Sequence, residues 1–152
     1  MPSPLRAVLD TNVLLAALLS SHPTSPTVEI LDCWHRRELL VLYSLDTLAE
    51  YAEKLLAHGI PPSEVEAFIR LLVLHGEIVP VVFFHFRHYP VDSDDVMFLL
   101  CAMNGRATHL ASYDRHLLSL RPYYAGQVTI CERLNFSRVP ESKFGRSLNK
   151  RE

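Results

Sequence analysis

The stretch Leu5-Arg6-Ala7-Val8-Leu9-Asp10, near the start of the chain, decides the fold class. It is a short, mainly apolar run of the length typical of a buried strand, and it ends on a carboxylate. The apolar residues 13–19 follow almost at once and are typical of a helix. A strand that passes directly into a helix is the first half of a βαβ unit, so the stretch predicts a parallel sheet.

The same alternation continues along the chain. Apolar residues recur at helical spacing in the intervening segments, and Gly59 and Gly76 stand where two of the predicted helices end. Further strands are predicted at residues 39–43, 78–84, 108–112 and 127–130. Strands that alternate with helices require right-handed crossovers. We therefore expect an α/β fold with a mainly parallel sheet of about five strands, covered on both faces.

Composition is that of one globular domain. The chain has 152 residues, of which 49% are hydrophobic and 21% charged, and a domain of this length needs no disulfide or structural zinc. Its cysteines, Cys33, Cys101 and Cys131, are odd in number and far apart, which argues against a disulfide framework. No apolar stretch near the start is long enough to cross a bilayer. We expect a cytoplasmic protein with no membrane association.

Charge is unevenly distributed along the chain. The formal net charge is −2, which is not the charge of a protein that coats nucleic acid by bulk attraction. Residues 1–136 carry 10 Lys and Arg against 15 Asp and Glu, whereas residues 137–152 carry 5 against 2. The apolar pattern also stops at residue 137. We therefore expect a globular domain over residues 1–136 and a basic, flexible tail over residues 137–152.

Acidic residues stand where a parallel sheet gathers functional groups. Asp10 directly follows the first predicted strand, and Asp114 follows the fourth. Asp94 and Asp95 begin a helix whose start lies at the same edge, and Glu50 is within reach on an early turn of another helix. Because ligands of open parallel sheets bind beyond the carboxyl ends of the strands, these side chains are expected to converge.

Two interpretations of these acids follow from spacing alone. Convergent carboxylates repel one another, so a cluster requires a cation or bound protons. Oxygen ligands without Cys or His favour Mg²⁺ or Mn²⁺, ions that suit phosphodiester hydrolysis. The alternative is that each acid acts alone, as a helix cap or a solvated surface charge.

Four segments resemble, in order, the four motifs of the PIN domain family. They are Val8-Leu9-Asp10-Thr11-Asn12-Val13-Leu14, Leu48-Ala49-Glu50-Tyr51, Asp92-Ser93-Asp94-Asp95-Val96-Met97-Phe98-Leu99 and Ala107-Thr108-His109-Leu110-Ala111-Ser112-Tyr113-Asp114-Arg115-His116-Leu117-Leu118. The third is similar to the motif of the VapC-like branch, the toxin components of toxin–antitoxin systems. The resemblance extends from about residue 5 to residue 135, nearly the whole predicted domain.

The resemblance implies an α/β/α sandwich and a Mg²⁺- or Mn²⁺-dependent endonuclease that cleaves single-stranded RNA. It also implies an antitoxin partner and a homodimer. Carried over residue by residue, it implies that the catalytic, metal-binding residues are Asp10, Glu50, Asp95 and Asp114. Asp94 is a further candidate metal ligand. Supporting roles at the site fall to Thr11, Asn12 and Ser112.

Departures from the family pattern leave every carboxylate in place. Arg106 and Tyr113 stand where relatives often have glycine, and Asp-Ser-Asp-Asp at residues 92–95 replaces Asp-Pro-Asp-Asp. For RNA contact we consider Arg87, Tyr113 and Arg115, cationic or aromatic side chains beside the third and fourth motifs. The aromatic stretch at residues 83–89 fits either such a contact or a strand that runs into a packed loop.

Two other functions compete with the nuclease. A phosphatase with an aspartyl nucleophile needs a second aspartate two residues after Asp10, where this chain has Asn12. The alternative that stays open is a non-catalytic PIN-like module that binds RNA or protein and leaves its acidic site unused. A metal-dependent cleavage assay separates that module from the nuclease.

Overall fold

A single sheet of five parallel strands forms the centre of the molecule, with the strand order β3-β2-β1-β4-β5. The computed structural model describes residues 4–19, 26–82, 86, 88–90 and 92–134. The tail predicted over residues 137–152 and the side chain of Arg87 lie outside these residues. The strands are β1 (Leu5–Leu9), β2 (Leu39–Tyr43), β3 (Glu77–Ile78), β4 (His109–Ala111) and β5 (Thr129–Cys131).

Helices connect each strand to the next. They are α1 (Thr11–Leu19), α2 (Pro26–His35), α3 (Leu45–Ala57), α4 (Pro62–His75), α5 (Val96–Asn104), α6 (Arg115–Leu118) and α7 (Arg121–Tyr124), with a 3-10 turn at Ser93–Asp95 before α5. The chain moves outward from β1 to β3 and then returns to the other side of β1 at β4. Right-handed crossovers that run in opposite directions cover opposite faces of a sheet. The expected α/β/α sandwich is confirmed.

Burial of the central strand shows that both faces are covered. Ala7, Val8 and Leu9 of β1 are each fully buried. Successive side chains of a strand point to opposite faces, so a run of consecutive buried residues requires cover on both sides. None of the helices in the described part of the chain combines the length and the apolar character that crossing a bilayer would demand.

The third strand is shorter than its apolar sequence predicted. The predicted strand covered residues 78–84, but the strand stops at Ile78. Val79 still donates its N–H to the carbonyl of Tyr43 at 2.7 Å. Pro80 has no N–H to offer, so it cannot extend the ladder. Apolar character alone therefore overestimated this edge strand. Helix α7 was not predicted.

Three helices end with a residue in the left-handed conformation. Gly59 ends α3 with φ 84°, whereas Arg37 and Arg106 adopt φ 60° and φ 52° after α2 and α5. Such a residue costs about 1–2 kcal/mol when it is not glycine. This explains why relatives often have glycine at the position of Arg106; nothing in the structure explains the arginine. Tyr113, the other departure, is not among the described residues with positive φ.

Candidate metal centre

Asp10 is held rigidly at the carboxyl end of β1. Its backbone N–H donates to the carbonyl of Ala111 at 2.8 Å, which continues the pairing of β1 with β4. Its Oδ1 accepts the N–H of Thr11 at 2.7 Å, and its Oδ2 accepts the hydroxyl of Ser112 at 2.6 Å. The residue is only 5% exposed. Both carboxylate oxygens therefore have fixed directions.

Ser112 links the ends of two neighbouring strands. While its hydroxyl donates to Asp10, its Oγ accepts the backbone N–H of Asp114 at 2.9 Å. Leu9 pairs with Ala111 in the β1–β4 register, so the residues that follow the two strands lie side by side. One buried serine thus sets the relative position of two acidic residues.

The 3-10 turn separates the roles of the acids in the third motif. Asp92 Oδ1 accepts the N–H of Asp94 at 2.9 Å, so Asp92 is the capping residue. Asp95 precedes α5 but makes no side-chain cap hydrogen bond. It is 5% exposed, whereas Asp94 is exposed. Helix capping therefore accounts for Asp92 and leaves the burial of Asp95 unexplained.

Three carboxylates come together at this point. One oxygen from each of Asp92, Asp95 and Asp114 lies within 4.8 Å of the other two. Asp95 Oδ2 is buried and has no hydrogen-bond partner. A buried carboxylate oxygen without a donor, beside two other carboxylates, is unfavourable unless a cation or a proton compensates it. The all-oxygen donor set fits Mg²⁺ or Mn²⁺.

Glu50 approaches the same place from α3. The helix begins at a capping box in which Ser44 and Thr47 exchange side-chain and backbone hydrogen bonds. Tyr51, fully buried on α3, donates its hydroxyl to the carbonyl of Leu9 at the end of β1. That bond ties α3 to the strand that carries Asp10, and Glu50 is the neighbouring residue.

A pocket of about 300 Å³ opens between these elements, and we call it the acidic pocket. Thr11 and Asn12 line it, as do the basic residues Lys54 and His58. Its acidic lining residues are Asp10, Glu50, Asp92, Asp94, Asp95 and Asp114. All five carboxylates predicted from the sequence therefore share one pocket, and Ser112 lies buried behind it.

Burial and mutual repulsion disturb the acids of this pocket. Burial, followed by repulsion from Asp10 and Asp114, raises the pKa of Asp95 to about 7. Burial also raises the pKa of Asp10, although hydrogen bonds from Ser112 and Thr11 oppose the change. At Glu50 burial raises the pKa and the charge of Lys54 lowers it. A cluster with these properties favours uptake of a cation or a proton.

Some residues occupy places that the sequence did not suggest. Asn12 does not contact Asp10 through its amide; its Oδ1 accepts the backbone N–H of Tyr113 at 3.2 Å. Tyr113 is 38% exposed and Arg115 is exposed, and neither is among the described residues that line the acidic pocket. Arg87 lies outside the described residues.

Sequence reasoning missed three residues of this pocket. Asp92 lies three residues before Asp95, and at about three residues per turn a 3-10 turn places both on one side. Lys54 and His58 follow Glu50 at intervals of four residues, the spacing of neighbours on one helix face. These spacings could have identified all three residues.

Comparison with known proteins gives the family. The PIN domain model matches residues 6–116. The chain belongs to the PIN domain family. The matched range includes every carboxylate of the acidic pocket. No curated protein matches this PIN domain in sequence.

Among solved structures, the fold is similar to a chain of "Crystal structure of VapBC2 from Rickettsia felis bound to a DNA fragment from their promoter". The superposition has a TM-score of 0.53 and covers 83% of this chain and 97% of that chain. Sequence identity is 11%, so the likeness is one of fold.

Proposed function

We propose that this PIN domain is a metal-dependent endoribonuclease that hydrolyses phosphodiester bonds of single-stranded RNA. PIN domains are generally nucleases that bind divalent metal ions. The observation that carries the proposal for this chain is the unpartnered, buried Oδ2 of Asp95 beside the carboxylates of Asp92 and Asp114. The proposed catalytic set is Asp10, Glu50, Asp95 and Asp114.

Mg²⁺ or Mn²⁺ is the proposed cofactor. Mg²⁺ in proteins is held by few carboxylates and keeps several waters, so it needs only part of the acidic pocket. Asp95, Asp114 and Asp92, whose oxygens lie within 4.8 Å of one another, would hold it, and Asp10 and Asp94 are the further proposed ligands. When bound, the ion supplies an activated water and neutralises the charge that develops on the phosphate.

The protein's own residues orient the proposed metal ligands and transfer protons. Ser112 and Thr11 fix both oxygens of Asp10, so this ligand needs no reorganisation on binding. Asp95, whose pKa is raised to about 7, releases any bound proton when a cation replaces it. Glu50, half-buried and lining the acidic pocket on α3, is the proposed acceptor of the proton that the attacking water would give up.

A cleavage assay tests this function. Purified protein should cut a labelled single-stranded RNA with Mg²⁺ or Mn²⁺, and excess EDTA should stop the reaction. Cleavage that persists in excess EDTA would rule out the metal-dependent mechanism. Binding of RNA without cleavage under every metal tested would favour the non-catalytic module instead.

We further propose that the nuclease is the toxin of a toxin–antitoxin pair. The third motif resembles the VapC-like branch, and the fold is like a chain of the VapBC2 complex. An antitoxin would then be a partner, a homodimer follows from the family resemblance, and the free cysteines fit the cytoplasm. Expression alone should arrest bacterial growth, and co-expression of a small upstream reading frame should restore it. Growth without arrest would contradict the toxin role.

For substrate contact we propose Arg87, Tyr113 and Arg115, together with a basic tail over residues 137–152 that follows the domain at residues 1–136. Deletion of residues 140–152 should leave the melting temperature nearly unchanged and weaken RNA binding at low salt, because the tail carries net positive charge. A large loss of stability would show instead that the tail packs on the domain.

A further inference from the structure

Two basic residues of α3 extend the acidic pocket away from Glu50. Lys54 and His58 lie four and eight residues after Glu50 and line the same pocket. At a rise of about 1.5 Å per residue, they are displaced from Glu50 by about 6 Å and about 12 Å along the helix. One wall of the pocket therefore changes from negative to positive along its length.

Lys54 makes no ion pair and no side-chain hydrogen bond with the described residues, and Glu50 is the charge on which it acts at longer range. Its charge acts on Glu50, where it lowers the pKa of the carboxyl. The side chain is half-buried, so it is a cation at the pocket wall and not a fully solvated one.

His58 has a defined orientation. Its Nδ1 lies 2.8 Å from the carbonyl oxygen of Lys54. A carbonyl can only accept, so Nδ1 carries the hydrogen of that bond and Nε2 remains on the far side of the ring. The residue is exposed at the end of α3. Its ring is thus held to the helix by one nitrogen while the other is available to a ligand.

A polyanion that enters the acidic pocket needs cationic side chains along its path. Carboxylates repel the phosphates of RNA, and a metal ion compensates only at the point where it is bound. Lysine binds phosphate as a point charge, and contacts to the phosphate backbone set the register of a nucleic acid. Lys54 is the first cationic residue after Glu50 along α3.

We infer that Lys54 and His58 form a backbone-phosphate subsite on the α3 wall of the acidic pocket. Lys54 binds the phosphate next to the scissile one, and His58, as the imidazolium with a hydrogen on each ring nitrogen, donates from Nε2 to the phosphate beyond it. Both are positioning residues for a single-stranded substrate and read no base. The inference rests on the proposed nuclease function, because it takes a phosphodiester chain as the ligand.

The test compares cleavage and binding of single-stranded RNA by Lys54→Gln and His58→Gln. At about pH 8, well above the ordinary titration range of a glutamate, Lys54→Gln should raise KM about tenfold with little change in kcat, because a charge-assisted contact made equally in ground state and transition state is lost. In an Asp95→Asn background that leaves the RNA intact, the slope of log Kd against log salt should fall by about 0.7. His58→Gln should raise KM less, and Lys54→Arg should keep most of the binding.

The chain offers matched controls. His35 ends α2 and is exposed, and its Nδ1 lies 2.7 Å from the carbonyl of Leu31, the same contact as that of His58. It is not among the described residues that line the acidic pocket. Arg70 is an exposed cation on α4 that pairs with Glu66 at 2.9 Å. His35→Gln and Arg70→Gln should leave KM and the salt slope unchanged.

The outcomes separate the subsite from the nuclease. If wild type cleaves RNA but Lys54→Gln keeps its KM and salt slope, the subsite is overturned and the nuclease stands. If Lys54→Arg is as defective as Lys54→Gln, the contribution of Lys54 does not come from its charge, and the phosphate subsite is overturned. If wild type cleaves nothing while Lys54→Gln still weakens RNA binding and lowers the salt slope, the subsite stands and the proposed activity falls.

Discussion

The two edges of the sheet each carry a pocket, and the larger one is not the acidic pocket. At the amino ends of β1 and β2, a cavity of about 590 Å³ is lined by residues that include Pro4, Trp34, Leu39, Leu71 and Leu74. We call it the amino-edge pocket. The acidic pocket at the opposite edge encloses about 300 Å³. Volume alone would therefore direct attention to the wrong end of the fold.

Each pocket contains a buried polar atom without a partner, and the kind of atom makes the difference. At the amino edge it is Nε1 of Trp34. At the carboxyl edge the neutral Oγ1 of Thr11 is unpartnered, and so is the carboxylate Oδ2 of Asp95. An unpaired neutral N–H costs about 1–3 kcal/mol, which a fold can tolerate. An unpaired carboxylate among like charges must take up a proton or a cation. Unsatisfied charge, and not cavity size, identifies the edge at which chemistry is expected.

The largest effect is expected at Asp95. Asp95→Asn removes one charge with little change of shape and should reduce RNA cleavage about 100-fold or more. Wild type at a Mn²⁺ concentration of about 100 times Kd should gain about 2.7 kcal/mol of stability, and the variant should gain clearly less. Cleavage rates and melting temperatures with and without Mn²⁺ measure both effects.

Asp94→Asn is the matched comparison, since it makes the same substitution one residue away at an exposed position. It should retain most of the cleavage and most of the response to Mn²⁺. Activity lost only in Asp94→Asn would move the ligand assignment to Asp94. An active Asp95→Asn variant would remove Asp95 from the catalytic set.

The pH dependence of stability at Asp95 has a definite sign. Its folded pKa, about 7, is raised above the unfolded value of about 3.9. A raised carboxyl pKa contributes no destabilisation below the unfolded value, and the loss of stability grows as pH rises from about 4 to about 7. In EDTA, Asp95→Asn should therefore match wild type near pH 4 and equal or exceed its melting temperature near pH 8. A variant that is less stable at pH 8 would contradict the strain inferred for the metal-free cluster.

A smaller effect is expected at Ser112. Ser112→Ala removes the hydroxyl that donates to Asp10 and accepts from Asp114. Loss of a donor to a buried carboxylate should destabilise the fold by about 1–3 kcal/mol and misplace Asp10, so cleavage should fall as well. Chemical denaturation and cleavage rates measure this. Ser119→Ala removes an exposed hydroxyl bonded to the carbonyl of His116 and should change neither quantity measurably.

The smallest effect is expected at the amino edge. Arg37→Gly and Arg106→Gly place glycine at positive φ, where a side chain is unfavourable. Each should stabilise the fold by about 0.5–1 kcal/mol and leave cleavage unchanged, because neither residue lines the acidic pocket as described. The comparison variant Arg70→Gly, within α4, should destabilise by about 1 kcal/mol. A fall in cleavage by Arg37→Gly would give the amino edge a function that its chemistry does not indicate.

Local sequence determined several of the strands and helices of this protein. The strands Leu5–Leu9 and Leu39–Tyr43 formed as predicted, and the helix Pro62–His75 ends at Gly76 as predicted. Apolar periodicity and helix-ending glycines act within a few residues. The sequence also placed Asp10 and Asp114 correctly beyond β1 and β4, since the parallel sheet fixes where a residue after a strand must lie. The length of the third strand was overestimated, because the apolar residues continue past Ile78 whereas Pro80 has no N–H with which to extend the ladder.

Only the tertiary structure decided how the individual acids differ. Asp92, Asp94 and Asp95 are the same residue type within four positions. Asp92 caps a turn, Asp94 is exposed, and Asp95 is buried with its Oδ2 unpartnered. Lys54 and His58 could be placed on the face of Glu50 from spacing alone, but their presence in the acidic pocket depends on how α3 packs beside β1. Sequence determines which groups can reach an edge of the sheet. Burial and the distances between charges depend on long-range packing. These set the pKa of Asp95 and leave Lys54 without an ion pair among the described residues.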